Sequence, residues 1–163
     1  SGQARAAVSL MARVAPDCDL PAVSDAALRD FIGYNMKRAF NVMQADLTAT
    51  LEPMGLRMLT YSALALIVEN PGLRPSPLAA ALSVERAHVV VYVDQLEEAG
   101  WVTRAPSATD RRAYALQCTI AGRRIYDKAR AALRAHDRRM LEGLSAVEIA
   151  TVKKALALIE GRE

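Results

Sequence analysis

Two adjacent arginines, Arg111 and Arg112, lie in a short stretch that is rich in turn residues. The runs on either side, 101–105 and 113–119, are strand-like, and the second alternates between two faces. The sequence therefore predicts a hairpin with arginine near its tip. A guanidinium fits the narrow, electronegative minor groove of DNA and also binds phosphate. We expect groove contact here, and a solvated turn is the alternative.

The segment before this hairpin, residues 85–99, has the period of a helix that buries one side and ends at Gly100. Its apolar side holds Val89, Tyr92, Val93 and Leu96. Its outward side is sparse and holds Ala87, His88, Val91 and Gln95, with Arg86 and Val90 on the flanks. Such a helix fits the major groove of a duplex. Because Asp94, Glu97 and Glu98 would repel phosphates, we expect only the first turns to enter the groove.

Base readout is therefore expected from residues in the first turns of this helix, namely Arg86, Ala87, His88, Val90 and Val91. Valine can contact a thymine methyl group but cannot form a hydrogen bond with a base. Readout should then depend on Arg86, His88 and the arginine-tipped hairpin. Packing stays an alternative for the two valines, as does a buried or merely solvated role for His88.

A shorter helix is predicted just before this one, with Ser76 as its N-cap and Pro77 in its first turn. Its apolar side is Leu78, Ala81 and Leu82. The pair Ser83-Val84 then makes a turn before residue 85. The order of helix, turn, helix and hairpin predicts a DNA-binding unit.

At this point the sequence resembles the MarR family of winged helix-turn-helix regulators. The similarity covers roughly residues 25–161 and is carried by LEEAGWVTR at 96–104, DRRA at 110–113 and T-x-x-G at 119–122. It implies DNA contacts from Ser76, Arg86, Ala87, His88, Val90, Val91, Arg104, Asp110, Arg111 and Arg112. In the family's wing an acidic residue orients an arginine, and Asp110 is placed for that role. The chain departs from the family at positions 90 and 91, where polar residues are usual.

The terminal helices are longer and more apolar than the DNA-binding unit needs. One helix, capped by Ser24, is predicted to run to Leu51, about 40 Å at the usual rise. Others are predicted over 57–69, over 120–141 and, after a capping box at Ser145 and Glu148, to the end of the chain. We expect the apolar stripes of the first and last two helices to pack against a second chain, as the resemblance also implies.

The expected fold is mainly α with a small β-hairpin wing, a winged helix-turn-helix whose N- and C-terminal helices form a dimerisation hub. The predicted divisions are 1–54 for the N-terminal arm and bridging helix, 55–119 for the DNA-binding domain, and 120–163 for the C-terminal dimerisation helices. A two-fold dimer would read two half-sites about one helical turn apart, so the operator should be nearly palindromic.

The resemblance also implies a small-molecule effector, held between the first helix, the second helix and the start of the fifth. The residues offered there are Tyr34, Asn35, Lys37, Arg38, Asn41, Met54 and Tyr61. Cationic side chains beside aromatic ones favour an anionic aromatic compound or its coenzyme A thioester. Core packing or contacts between subunits remain alternatives for several of them. A bound ligand is expected to change the spacing of the two winged domains and release the DNA, as in a repressor.

The composition of the chain limits which functions it can have. The 163 residues carry a net charge of +3, which does not by itself demand a nucleic-acid partner. His88 and His136 lie on different predicted elements, and the sequence has no metal-ligand spacing or phosphate-binding loop, so we expect no cofactor and no enzyme. A redox sensor based on Cys18 is the alternative, although no basic residue adjoins that cysteine; Cys118, on the inner face of a wing strand, is expected to be inert packing. Without an apolar span or a secretory signal, the expected location is cytoplasmic.

Overall fold

A computed structural model of the chain describes residues 23–106 and 114–162. They form seven α-helices and two strands, here numbered in chain order: α1 Ala26–Arg29, α2 Ile32–Leu51, α3 Met58–Glu69, α4 Pro75–Leu82, α5 Arg86–Glu98, β1 Val102–Pro106, β2 Tyr114–Cys118, α6 Ile120–Met140 and α7 Ala146–Glu160. A single 3₁₀ turn, Glu52–Met54, follows α2. The chain separates into two compact units, Ser1–Lys37 and Arg38–Glu163. The mainly helical fold with one hairpin is as predicted.

The first unit corrects the prediction of one continuous helix from Ser24 to Leu51. The four-residue helix α1 stops at Arg29, and α2 begins three residues later. The break is held by Asn35, whose side-chain amide donates to the carbonyl of Arg29 at 2.7 Å and to that of Phe31 at 3.0 Å. The spacing of apolar residues does not indicate this break, because the hydrogen bonds that hold it come from the polar side chain of Asn35. The bridging helix is therefore about 30 Å long rather than 40 Å.

Asp25 organises the same short segment. Its carboxylate accepts a hydrogen bond from the Tyr34 hydroxyl at 2.6 Å and pairs with Arg29 at 2.9 Å. Both partners favour the charged carboxylate, Tyr34 most, and they lower the pKa of Asp25. Ser24 is not the cap of a long helix; its hydroxyl accepts only from the backbone of Ala26, at 3.4 Å.

The second unit contains the predicted winged domain, and its core is closed within one chain. Side chains from α3, α4, α5, both strands and α6 form one buried cluster: Ala63, Leu64, Ile67, Leu78, Ala79, Val89, Val93, Leu96, Val102, Leu116 and Tyr126. The strands pair antiparallel, from Val102 opposite Cys118 to Pro106 opposite Tyr114. Leu73 extends this pairing, since its carbonyl accepts from the Leu116 N–H at 2.9 Å.

A close contact fixes the start of α6 against the hairpin. Thr119 caps the helix, because its hydroxyl accepts from the Gly122 N–H at 2.9 Å and donates to the Gly100 carbonyl at 2.7 Å. A Cβ added at Gly122 would lie 2.0 Å from the carbonyl oxygen of Trp101. The T-x-x-G pattern is therefore a steric requirement: threonine caps the helix, and glycine lets two backbones touch.

Further along, α6 is tied to α2 by a buried polar group. His136 is 2 % exposed, and its Nδ1 lies 2.6 Å from the Asp46 carboxylate, which also accepts from Arg139 at 2.9 Å. These partners, His136 foremost, lower the pKa of Asp46. His136 is therefore a buried side chain whose polar atom has a partner.

One local prediction in the winged domain needs correction. Ser76 is not the N-cap of α4, because the helix starts at Pro75 and Arg74 is the cap residue. Proline is preferred at this first position, where its missing N–H costs nothing. In α3 the buried residues are Thr60, Ala63, Leu64 and Ile67, whereas Met58, Tyr61, Ala65 and Val68 are half-buried.

The terminal helices leave large apolar side chains exposed. All residues of α7 are described and none of them is buried. Its exposed apolar residues are Val147, Val152, Leu156, Leu158 and Ile159. Among the described residues, no single helix is both long and apolar enough to cross a membrane. The pair Ile32–Met54 and Met58–Glu69 meets both conditions together, by length and composition only, across a bend of 69°.

Candidate nucleic-acid interface

Helix α5 has a buried face that fixes it and a sparse exposed face. Val89 and Val93 are 0 % exposed and anchor the helix in the winged core. On the other side Arg86, Ala87 and His88 are exposed, and so are Val90 at 41 % and Val91 at 50 %. The predicted burial pattern is thus confirmed, and packing within this chain does not account for the two exposed valines. A helix held in this way presents a surface on which small side chains accompany Arg86 and His88.

The turn before α5 sets the angle between the two helices. Ser83 adopts a left-handed conformation with φ 53°, which is uncommon for a residue other than glycine. Its N–H and that of Val84 satisfy carbonyls at the end of α4. Ser76 and Pro77 lie exposed in the first turn of α4. The helix-turn-helix arrangement is therefore present.

Arg104 of β1 has a role that the sequence did not reveal. Its guanidinium forms ion pairs with Asp94 and, at 3.0 Å, with Glu97, both on α5. It also lies over the Tyr114 ring, 5.0 Å from the centroid. The hydrogen bond to Asp94 is the main cause that raises the pKa of Arg104. The predicted DNA contact of Arg104 stays a prediction; in the structure its guanidinium partly neutralises the two acids and fastens the wing strand to α5.

The tip of the wing lies outside the described residues. Asp110, Arg111 and Arg112 lie in the stretch 107–113, and Cys18 lies in the stretch 1–22. Both stretches are outside the described residues, so the predicted roles of these four residues stay predictions. Cys118 on β2 is partly buried, and its thiol donates to the Thr119 carbonyl at 3.3 Å. Burial raises the pKa of the Cys118 thiol. Within the described ranges, no group of three or more metal-binding side chains is present.

An open cleft of about 720 Å³ adjoins the same helix. Helix α2, the start of α3 and α5 all line it; its residues include Gln44, Thr48, Arg57, His88, Val91 and Gln95. His88 and Val91 therefore belong both to the exposed face of α5 and to the cleft. No pattern in the sequence predicts this cleft, because its walls come from segments that are distant along the chain.

None of the seven predicted effector residues lines this cleft. Tyr34, Asn35 and Lys37 belong to the first unit, and Arg38, Asn41, Met54 and Tyr61 belong to the second. Tyr61 stacks on Tyr126 with a centroid separation of 6.1 Å, and burial raises its pKa. That these seven residues hold an effector stays a prediction.

Comparison with known proteins agrees with this architecture. The family model described as MarR matches residues 56–114. A putative transcriptional regulatory protein for the hcr operon of Thauera aromatica is 33 % identical over 138 residues, which span 82 % of this chain and 81 % of that protein. This chain belongs to the MarR family.

Solved structures of MarR-family proteins are similar over nearly their whole length. The transcriptional repressor CouR bound to a 23-mer DNA duplex is 28 % identical, with a TM-score of 0.81 over 86 % of this chain and 99 % of CouR. CouR of Rhodococcus jostii RHA1 bound to p-coumaroyl-CoA is 33 % identical, with a TM-score of 0.74 over 83 % and 95 %. A Mycobacterium tuberculosis MarR family protein in complex with salicylic acid is 30 % identical, with a TM-score of 0.64 over 79 % and 96 %.

Proposed function

We propose that this MarR-family chain is a ligand-responsive transcriptional repressor that binds a near-palindromic operator as a homodimer. The observation that carries the proposal is the two-sided character of α5. One face is fixed in the winged core, and the other is exposed and carries Arg86, Ala87, His88, Val90 and Val91. A helix of this kind can enter a major groove without rearrangement.

The case for a homodimer comes from the apolar surface of the terminal helices. In α7, Val147 is 75 % exposed, Leu158 is 63 % and Ile159 is 61 %; in α2, Val42 is 64 % exposed. Monomeric proteins rarely expose contiguous apolar patches of large size. A second copy of the same surface would bury these stripes and place two α5 helices about one helical turn of DNA apart.

The expected DNA contacts divide by chemistry. Arg86 and His88 are the candidates for hydrogen bonds to base edges, and Val90 and Val91 for contact with thymine methyl groups. Ser76, in the exposed first turn of α4, suits a phosphate contact, and Arg111 and Arg112 remain the candidates for the minor groove. Arg104 acts by positioning, because its ion pairs hold the wing strand to α5 and reduce the repulsion between Asp94 and phosphate.

An aromatic acid or its coenzyme A thioester is the proposed class of effector. It is supported by the relatives crystallised with salicylic acid and with p-coumaroyl-CoA. Effector binding would lower operator affinity by a coupling free energy of about 1–3 kcal/mol. A regulator of chromosomal genes would act in the bacterial cytoplasm, and we assign no catalysis to it. Redox sensing gains no support from Cys118, since a raised pKa disfavours the reactive thiolate.

The test is operator binding by fluorescence anisotropy, with genomic DNA fragments selected by the wild-type protein. Replacing both Arg86 and His88 by alanine should weaken binding by at least about 10-fold, since a good base contact contributes about 1–3 kcal/mol. Lys153→Ala, an exposed charge on α7, is the control and should change affinity little. Equal affinities for the double variant and the control would reject α5 as the reading helix.

A further inference from the structure

We propose that α5 recognises the C5 methyl group of a pyrimidine in each half-site, so that 5-methylcytosine can replace thymine there and cytosine methylation changes operator affinity. The inference rests on the proposed function, because it requires α5 to lie in the major groove. It goes further by making the methyl group itself, rather than the identity of the base pair, the feature that part of this helix selects.

Three small apolar side chains are neighbours on the exposed face of α5. They are Ala87, Val90 and Val91, here called the apolar patch, and residues at i, i+3 and i+4 adjoin one another on a helix surface. All three are exposed, Val90 at 41 % and Val91 at 50 %. A single exposed apolar residue is normal, whereas this group occupies the middle of a face that Arg86 and His88 flank. The patch therefore calls for a partner.

The two valines present their methyl groups in a fixed direction. In a helix, valine adopts one side-chain rotamer about 90 % of the time. Contact with DNA therefore costs Val90 and Val91 little side-chain entropy. The helix is fixed as well, because Val89 and Val93 on its other side are completely buried. The apolar patch is thus preorganised for a small apolar partner.

The chemistry of the major groove leaves one kind of partner for this patch. Base edges there carry hydrogen-bond donors and acceptors, and their one apolar group is the C5 methyl of thymine. Alanine and valine side chains cannot form hydrogen bonds, so on a polar base edge they would displace water without replacing its bonds. A methyl group instead gains by leaving water. Cytosine methylated at C5 carries the same group at the same ring position.

The charges around the patch allow the close approach that a methyl contact needs. Asp94 lies one turn beyond the two valines on the same face, and Arg104 forms an ion pair with it. Glu97 also pairs with Arg104, at 3.0 Å. Arg86, at the start of the helix, is exposed and adds a cation that phosphates attract. The carboxylates of α5 are thereby partly neutralised where they would otherwise repel the DNA backbone.

The test changes methyl groups alone in the operator that the wild-type protein selects. Uracil lacks only the C5 methyl of thymine, so each thymine of the half-sites is replaced by uracil in turn and affinity is measured by anisotropy. At the contacted position we expect a loss of about 4-fold, as for exposing one methyl-sized group, and about 16-fold when both half-sites are changed. With cytosine at that position, 5-methylation should raise affinity by the same factor of about 4.

A double-mutant cycle assigns the effect to the apolar patch. With Val90→Ala and Val91→Ala combined, the change from thymine to uracil should cost less than about 2-fold. Val23→Ala is the matched control, since this valine is 91 % exposed and lies outside the helix-turn-helix, and it should keep the full effect. Both patch valines are exposed, so the double variant should melt like the wild type. The uracil and methylcytosine measurements need the wild type only.

A loss at uracil that 5-methylcytosine reverses, and that the double variant no longer shows, would support the proposal. It would be overturned, with the repressor function intact, if uracil or cytosine methylation left wild-type affinity unchanged or if the double variant kept the full uracil effect. A double variant that sediments as a single chain would assign the patch to the contact between subunits and would also overturn it. If neither this variant nor replacement of Arg86 and His88 changed affinity, α5 would not be the reading helix, and the proposed DNA interface would fail as well.

Discussion

The winged domain and the terminal helices bury their apolar residues in different ways. Leu64, Val89 and Val93 are completely buried by other residues of the same chain. In α7 no residue is buried, although the helix carries a capping box at Ser145 and ends at Gly161 in a left-handed conformation. Local signals thus form both regions, but only the first has a closed core. The proposed homodimer accounts for the difference, because a second chain would cover α7, whereas the DNA-binding unit is stabilised by its own chain.

The largest expected effect comes from the contact that closes the winged domain onto α6. Gly122→Ala places a methyl group against the Trp101 carbonyl, so we expect a loss of about 3 kcal/mol or more in the free energy of unfolding. Gly33→Ala in α2 meets no atom within 4 Å and should stabilise its helix by up to about 1 kcal/mol. Urea unfolding of both variants measures this, and equal effects would contradict the steric role of Gly122.

The next largest effect is expected when a residue on the buried face of α5 is compared with one on its exposed face. Val93→Ala removes a fully buried side chain and should lower the free energy of unfolding by about 2 kcal/mol. Val90→Ala, on the exposed face, should cost less than about 0.5 kcal/mol and should instead weaken operator binding. Thermal unfolding together with anisotropy separates the two results. A larger stability loss at Val90 than at Val93 would contradict the orientation of the helix.

The polar link between α2 and α6 should make stability depend on pH. The pKa of Asp46 is lowered in the folded state, so its contribution is present above the ordinary value of 3.8 and is lost as pH falls through the folded value. Asp46→Asn should cost about 1–2 kcal/mol at neutral pH, and the gap between it and the wild type should close in acid. Chemical unfolding across that pH range measures the gap, and a constant gap would show that the charge of Asp46 is unimportant.

A small effect on stability is expected at Arg104. Its ion pairs are partly exposed, so Arg104→Ala should cost only about 0.2–1 kcal/mol. The Arg104→Ala variant should lose more operator affinity than a variant in which Asp94 and Arg104 are both replaced by alanine. The reason is that the single change leaves the Asp94 carboxylate uncompensated near phosphate. Anisotropy on the two variants decides this, and equal losses would leave Arg104 as a DNA contact rather than a positioning residue.

Much of the fold could be predicted because its signals are local. Gly100 ends α5, Thr119 caps α6, and the period of Val89, Val93 and Leu96 identifies the buried face. The predictions about the fold that were wrong depended on long-range contacts or on side-chain hydrogen bonds. Asn35 breaks the first helix through bonds to backbone carbonyls, which an apolar period does not register.

The candidate site was only partly predictable for the same reason. The exposed residues of α5 follow from its period, but the pairing of Arg104 with Asp94 joins a strand to a helix ten residues earlier. The cleft requires α2 and α5 to lie side by side, which no local pattern records.

The most direct test of the central claim is sedimentation of the full chain at micromolar concentration, with and without charges placed on α7. For the wild type we expect a species of twice the 17.7 kDa of one chain. Replacing Val152 and Leu156 by glutamate should convert it to a single chain that keeps the native emission of Trp101 and binds operator weakly. A wild-type protein that sediments as a single chain and still binds its operator with full affinity would contradict the account.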